Sequence, residues 1–246
     1  MNNDIAISLK KVKKTFWIPH EQINTFKSLF LMPFKLKKMK WNAYEALKEI
    51  SLDIKKGEII GIIGRNGSGK STLLKMIAGI YSIDEGKITV DGRIVPFLEL
   101  GVGFHPELSA RENIYLNGAI LGMKRTEIDK RFDEIVDFAE VRNFLDTPIK
   151  NFSSGMLVRL AFSIAIRAEG DIFILDEVLA VGDAKFQEKS KLEMYKLRDK
   201  GKTVIFVSHS MAAIKDFCTR VVCIDKGYLF EKKSIDETIE YYIKSL

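Results

Sequence analysis

The chain has 246 residues, 46% of them hydrophobic and 29% charged, enough for one large domain or two small ones whose core needs no staples. No run of about 18 apolar residues occurs, so no segment is expected to span a membrane, and the polar N-terminus predicts no cleavable leader. The net charge is +6, yet nine lysines against one acid, Glu21, place +8 on residues 10–40 alone. That basicity is a local device, which argues against nucleic-acid binding spread over the fold.

Along the chain, Ile5, Ile7 and Leu9 alternate as a first strand. About residues 17–43 read as a basic amphipathic insertion. There Ile23, Phe26, Phe30 and Phe34 recur at helical spacing, with Lys27, Lys35, Lys37, Lys38 and Lys40 around them and Pro33 ending or kinking the helix near Met32. Such an element suits an anionic membrane surface, and a solvated loop packed by its phenylalanines is the alternative. Leu47–Ile54 predicts a second strand, ending in the turn Lys55-Lys56-Gly57-Glu58. The β-branched run Ile59–Ile63 then stops at Gly64.

Gly64 opens the segment Gly64-Arg65-Asn66-Gly67-Ser68-Gly69-Lys70-Ser71-Thr72. A Gly-x4-Gly-Lys-Ser pattern between a strand and a helix is a phosphate-binding loop: backbone N–H groups cradle phosphate oxygens, Lys70 reaches the outer phosphates and Ser71 ligates Mg²⁺. The helix continuing to Ile77, which Gly79 can close, directs its positive end at the phosphates. The chain is expected to bind a nucleoside triphosphate. Downstream, a hairpin around Asp84-Glu85-Gly86 leads into Ile88–Val90, and residues 111–167 turn helical. Thr126 is the expected N-cap of a helix with the stripe Ile128, Phe132, Ile135 and Ala139. Leu157, Leu160, Ala161, Ile164, Ala165 and Ala168 mark another buried helix face.

Strand periodicity returns at Ile172–Leu175, Val204–Val207 and Val221–Ile224, with helical segments between them. This order implies a parallel α/β core interrupted by a helical block. Cys218 and Cys223 fit neither a metal nor a disulfide pattern and are expected to stay reduced. Ser234-Ile235-Asp236-Glu237 has capping-box spacing and opens a last helix to about Lys244.

Three short stretches add chemistry. Asp176-Glu177 ends an apolar strand, where an open α/β sheet binds ligands; Asp176 is expected to hold Mg²⁺ through its water shell, and Glu177 to orient and polarise the attacking water. Without the upstream loop the pair would be an ordinary strand-to-loop junction. Ser153-Ser154-Gly155-Met156 precedes a buried helix and alone is only a Ser-rich cap. Val207-Ser208-His209 places a histidine at a strand end.

With the phosphate loop, these motifs stand in the order found in nucleotide-binding subunits of ABC transporters, which the chain resembles over about residues 45–230. The strings at 96–118 (PFLELGVGFHPELSARENIYLNG) and 153–165 (SSGMLVRLAFSIA), with DEVLAVGD at 176–183, resemble ATPases that export O-antigen, capsule or teichoic acid. The resemblance implies an α/β fold, a P-loop NTPase parallel-sheet core with an N-terminal antiparallel β subdomain and an inserted helical subdomain at about 104–168, in one ABC ATPase domain over 1–246. It implies ATP and Mg²⁺ as cofactors and a homodimer that closes head to tail on two ATP molecules. Ser153, Ser154, Gly155 and Met156 would then meet the partner's ATP, and His209 would contact the γ-phosphate and couple to Glu177. A transmembrane permease and a lipid-linked polysaccharide are the implied partners, with no nucleic acid, at the cytoplasmic face of the membrane.

The chain departs from the family pattern at several positions. Its only glutamines, Gln22 and Gln187, lie outside the loop that supplies one to Mg²⁺ and the attacking water, so Glu99 is the nearest polar candidate there. Ser154 replaces a glycine, Met156 a glutamine and Ala180 a serine, while Asp183 is retained. For the aromatic that stacks on adenine, Trp41 fits by spacing, Phe16 by local context, and Tyr44 is also near. A drug or small-solute exporter remains the alternative, and a soluble non-transport ABC protein the more distant one. The exported polymer is not legible.

Overall fold

The computed structural model describes residues 4–19, 41–97, 101, 103–176 and 182–245. Two sheets organise them. Strands β1 (Ile5–Pro19), β2 (Trp41–Lys55) and β4 (Glu85–Val90) form an antiparallel sheet in the order β2-β1-β4. The second sheet has six strands, β3 (Ile59–Ile63), β5 (Ile94–Phe97), β6 (Ile172–Asp176), β7 (Thr203–Val207), β8 (Arg220–Asp225) and β9 (Tyr228–Phe230), in the order β5-β6-β7-β3-β8-β9. Every pair in it is parallel except β8 with β9.

The central strands are continuous apolar runs because both sheet faces are buried. Alternate residues point opposite ways, so Ile59, Phe173, Leu175, Phe206 and Cys223 enter one core while Ile60, Ile62, Ile174, Ile205 and Ile224 enter the other. The first core lies under the helices α2 (Ala110–Ile120), α3 (Arg125–Ala139), α4 (Ser154–Arg167), α5 (Ala184–Asp199), α6 (Met211–Phe217) and α7 (Ile235–Lys244). The second is shared by helix α1 (Lys70–Ile77) and the antiparallel sheet, through Leu73, Leu74, Leu9, Ile50 and Ile54. A parallel core, an N-terminal antiparallel sheet and helices α2–α4 placed between β5 and β6 agree with the expected fold class.

Local signals explain most element ends. After α1, Gly79 takes a φ of 74°, the Gly79 N–H bonds the Met76 carbonyl and the Ile80 N–H bonds that of Lys75, a Schellman stop. Ser234 caps α7 by accepting from the Glu237 N–H at 3.2 Å. At α3 the expected cap is displaced: Lys124 is the N-cap and the Glu127 carboxylate returns to its N–H at 2.8 Å, so Thr126 lies inside the first turn. The glutamate, not the threonine, does the capping.

The first two strands run further than their alternation predicts. Lys11 (φ 47°) and Glu49 (φ 54°) sit where pairing register shifts, and the bulges break the period-two pattern. Beyond them β1 and β2 continue as a two-stranded arm pairing Phe16 with Tyr44, Trp17 with Ala43, Ile18 with Asn42 and Pro19 with Trp41. The expected insertion at about 17–43 therefore begins and ends within this arm. Its residues 20–40, with Phe26, Phe30 and Phe34, lie outside the described residues.

Candidate functional site

The phosphate loop is the link between β3 and α1, at the carboxyl edge of the six-stranded sheet. Two of its glycines are there for want of space. A Cβ on Gly64 (φ 152°) would stand 2.2 Å from the Ile224 carbonyl oxygen, and one on Gly69 (φ 113°) 2.6 Å from that of Ala46. Gly67 (φ 78°) has open space, so its requirement is conformational. Within the loop the Ser68 N–H donates to the Arg65 carbonyl at 3.1 Å. The buried Lys70 ammonium donates to the Gly64 carbonyl at 2.7 Å and to that of Arg65 at 3.1 Å. Lysine and loop are thereby held as one unit.

The loop opens onto a cleft of about 550 Å³ lined by Asn66, Gly67, Gly69, Lys70, Ser71, Thr72, Asp176, Tyr44 and Ala46. Asp176 arrives there by register: it pairs with Val207, which pairs with Ile62, so β6, β7 and β3 end level. A hydroxyl (Ser71), a carboxylate (Asp176) and an ammonium (Lys70) thus face one space beside a helix N-terminus, a donor set that suits a polyphosphate with a hard cation. Tyr44 enters from β2, where its hydroxyl donates to the Gly67 carbonyl at 2.9 Å. Among the described residues no group of three or more His, Cys, Asp and Glu side chains could hold a metal alone.

The other predicted residues are spread around this cleft. Trp41 is half exposed at the end of the arm, and Phe16 packs edge-on against Tyr81 with centroids 5.7 Å apart. The aromatic in the cleft wall is Tyr44, which spacing alone ranked behind Trp41. His209 is exposed two residues past β7, just before Ser210, the N-cap of α6. Ser153 caps α4 by accepting from the Met156 N–H at 3.2 Å, leaving Ser153 and Ser154 exposed at that helix start. Glu177, Glu99 and Ala180 lie outside the described residues.

A charged network that no motif announced ties α4 to its neighbours. Arg159, on α4, donates to Glu140 at the end of α3 (3.0 Å) and to Asp183, the N-cap of α5; Lys189 also reaches Glu140 at 2.6 Å. The Lys189 hydrogen bond holds the Glu140 carboxyl below its usual range, and the Phe186 N–H, then Arg159, does the same for Asp183. Helix α4, the end of α3 and the start of α5 therefore share an anchor.

Known proteins share this fold and much of this sequence. The pattern that defines the ABC transporter family matches residues 47–180. An O-antigen export system ATP-binding protein of Klebsiella pneumoniae is 43% identical over 244 residues, covering 98% of each chain. One from Myxococcus xanthus is 46% identical over 241 residues, 96% of this chain but 55% of that protein's length. A teichoic acids export ATP-binding protein of Listeria monocytogenes is 36% identical over 98% of this chain and 71% of its own. An ATP-binding cassette solved as a dimer in a post-hydrolysis state, bound to ADP and phosphate, superposes with a TM-score of 0.71 at 25% identity, over 93% of this chain and 99% of that one. The chain belongs to the ABC transporter family, and its fold is that of the ATP-hydrolysing cassette.

Proposed function

We propose that this chain is the ATP-hydrolysing subunit of an exporter that moves a lipid-linked polysaccharide, of O-antigen, capsule or teichoic acid type, through a partner membrane permease. The observation that carries this reading is the 43% identity, over 98% of each chain, with the Klebsiella O-antigen export protein. It extends beyond the nucleotide motifs that every cassette shares.

In this reading ATP lies in the cleft with its phosphates on Gly64–Thr72. Tyr44, in the cleft wall, is the better stacking partner for adenine than Trp41. Ser71 and Asp176 would hold Mg²⁺, with Glu99 a further ligand candidate; the ion supplies charge neutralisation at the outer phosphates. Glu177 takes the proton of the attacking water, and His209 orients the γ-phosphate. Two copies pair head to tail, so that Ser153, Ser154, Gly155 and Met156 at the positive end of α4 meet the partner's ATP.

The whole chain acts as one domain whose helical part, about 104–168, receives the permease. A hollow of about 250 Å³ lined by Phe104, Pro106, Ile149, Lys150 and Leu157 gives that contact an apolar seat. Among the described residues no helix is long and apolar enough to cross a membrane, and a peripheral position on the cytoplasmic face fits the lysines at 10–40. The test is polymer export in cells carrying Lys70→Ala: surface polymer should disappear and lipid-linked polymer accumulate inside. Normal surface polymer with a lost small-solute efflux would move the chain to another transporter class.

A further inference from the structure

The short hairpin between β8 and β9 touches the phosphate loop, and no motif accounts for it. Asp225 pairs with Tyr228, leaving Lys226 and Gly227 as a two-residue turn with φ of 47° and 83°. Two positive φ values mark a type I′ turn, in which the residue at 226 carries strain that Asn or Gly would not. The Gly227 N–H donates to the Ser68 carbonyl at 3.1 Å, and the Lys48 N–H donates to the Gly227 carbonyl at 2.8 Å. The turn is thus pinned to β2 on one side and to the loop on the other. Its strand also backs the loop's start, since the Ile224 carbonyl fills the space beside Gly64.

We infer that the Lys226-Gly227 turn is a positioning element for the phosphate loop, fixing the direction of the Gly69 N–H through the Ser68 carbonyl. Peptide planarity transmits the effect. In a trans peptide the carbonyl and the following N–H point opposite ways, so holding the Ser68 oxygen on the hairpin side turns the Gly69 N–H away from it. Gly69 lines the cleft. The neighbouring Gly67 carbonyl is held separately by the Tyr44 hydroxyl. Two consecutive carbonyls, each repulsive to a phosphate, are thereby occupied by donors. The turn itself cannot carry a side chain at 227, because a Cβ there would stand 2.9 Å from the Ala46 carbonyl oxygen.

The inference rests on the cleft being the ATP site, and the experiment separates the two. Affinities for ATP and for inorganic tripolyphosphate are measured on wild type, Gly227→Ala, Lys226→Asn and Lys48→Pro, well below their melting temperatures. Gly227→Ala should weaken both ligands by the same factor, about tenfold, because what is lost is a phosphate donor. Lys226→Asn, which accepts positive φ, should keep wild-type affinity. Should Gly227→Ala not fold, Lys48→Pro carries the test by deleting the N–H that holds the turn to β2. A structural glycine would lower the melting temperature and leave both affinities unchanged, which overturns the inference. So does weakened ATP with unchanged tripolyphosphate, which would put the effect at the base. Full ATP affinity in Lys70→Ala would instead overturn the assignment of the cleft.

Discussion

Ser68 and Ser190 each bury a hydroxyl oxygen with no hydrogen-bond partner among the described residues. An unmet buried hydroxyl costs about 1 kcal/mol or more, while its replacement by a methyl costs little. Ser190 lies within α5, where alanine is also the better helix former. Ser190→Ala should therefore raise stability by about 0.5–1 kcal/mol in a urea titration, and a lowered midpoint would reveal an acceptor for that oxygen. The two thiols obey the same logic of burial. Desolvation pushes Cys218 up to about 12 and Cys223 up to about 11. Thiolate is the reactive form, so at neutral pH both should resist maleimide until the chain unfolds. At Glu177 the expectation is chemical: Glu177→Gln should keep ATP binding and slow turnover by roughly two or more orders of magnitude, as the loss of a general base does. Turnover near wild type would move the base elsewhere, with Glu99 next to examine.

Among the elements, the start of α4 is the sharpest test of shared catalysis. Ser153 is exposed and outside the cleft of its own chain, so Ser153→Arg should leave ATP affinity of the single subunit unchanged while abolishing hydrolysis. The cap it loses is worth about 1 kcal/mol, too little to unfold a chain of this size. Loss of binding by the single subunit would contradict the head-to-tail arrangement. Elements were legible in the sequence where one physical signal acted alone. The buried runs at β3, β6, β7 and β8 read as strands covered on both faces, and the spacing from Ser234 to Glu237 marked the start of α7. Legibility failed where two signals competed. Lys11 and Glu49 break the alternation of β1 and β2, which hid the arm, and the reach of Glu127 decided the cap of α3 against Thr126. Within the site, motif residues were readable because phosphate chemistry demands them at fixed spacing. Tyr44 and the Lys226-Gly227 turn were obscured because strand pairing, which short-range sequence does not express, brings them to the loop.

For the molecule as a whole, pH and the membrane are the two environments to vary. Asp84, Glu140, Asp183 and Asp216 are held below the usual carboxylate range, first by Lys14, Lys189, the Phe186 N–H and Lys191 respectively. A carboxyl depressed in the folded state contributes stability above its unfolded value and loses it as pH falls through the folded one. The melting temperature should accordingly be flat above about pH 5 and fall below about pH 4, less steeply in Asp84→Asn. The membrane prediction concerns the two faces of the arm. Directly paired residues share a face, so Phe16 and Tyr44 lie on one side, while Trp17, Ala43 and Trp41 lie on the other. The first side leads to the nucleotide cleft; the second presents Trp17, 65% exposed, and Trp41, 51% exposed, and the sequence from 10 to 40 carries nine lysines. Indole rings flanked by lysines suit an anionic lipid interface, each lysine adding on the order of 1 kcal/mol and each ring about 25 cal/mol per Å² buried. Replacing Trp17 and Trp41 together by serine should reduce sedimentation with anionic vesicles by about tenfold or more, and raised salt should release the wild type. Because both rings are already exposed, melting temperature and ATPase activity should stay at wild-type values. Vesicle binding that survives the double change, with a lowered melting temperature, would assign the rings to packing and remove the arm from the membrane.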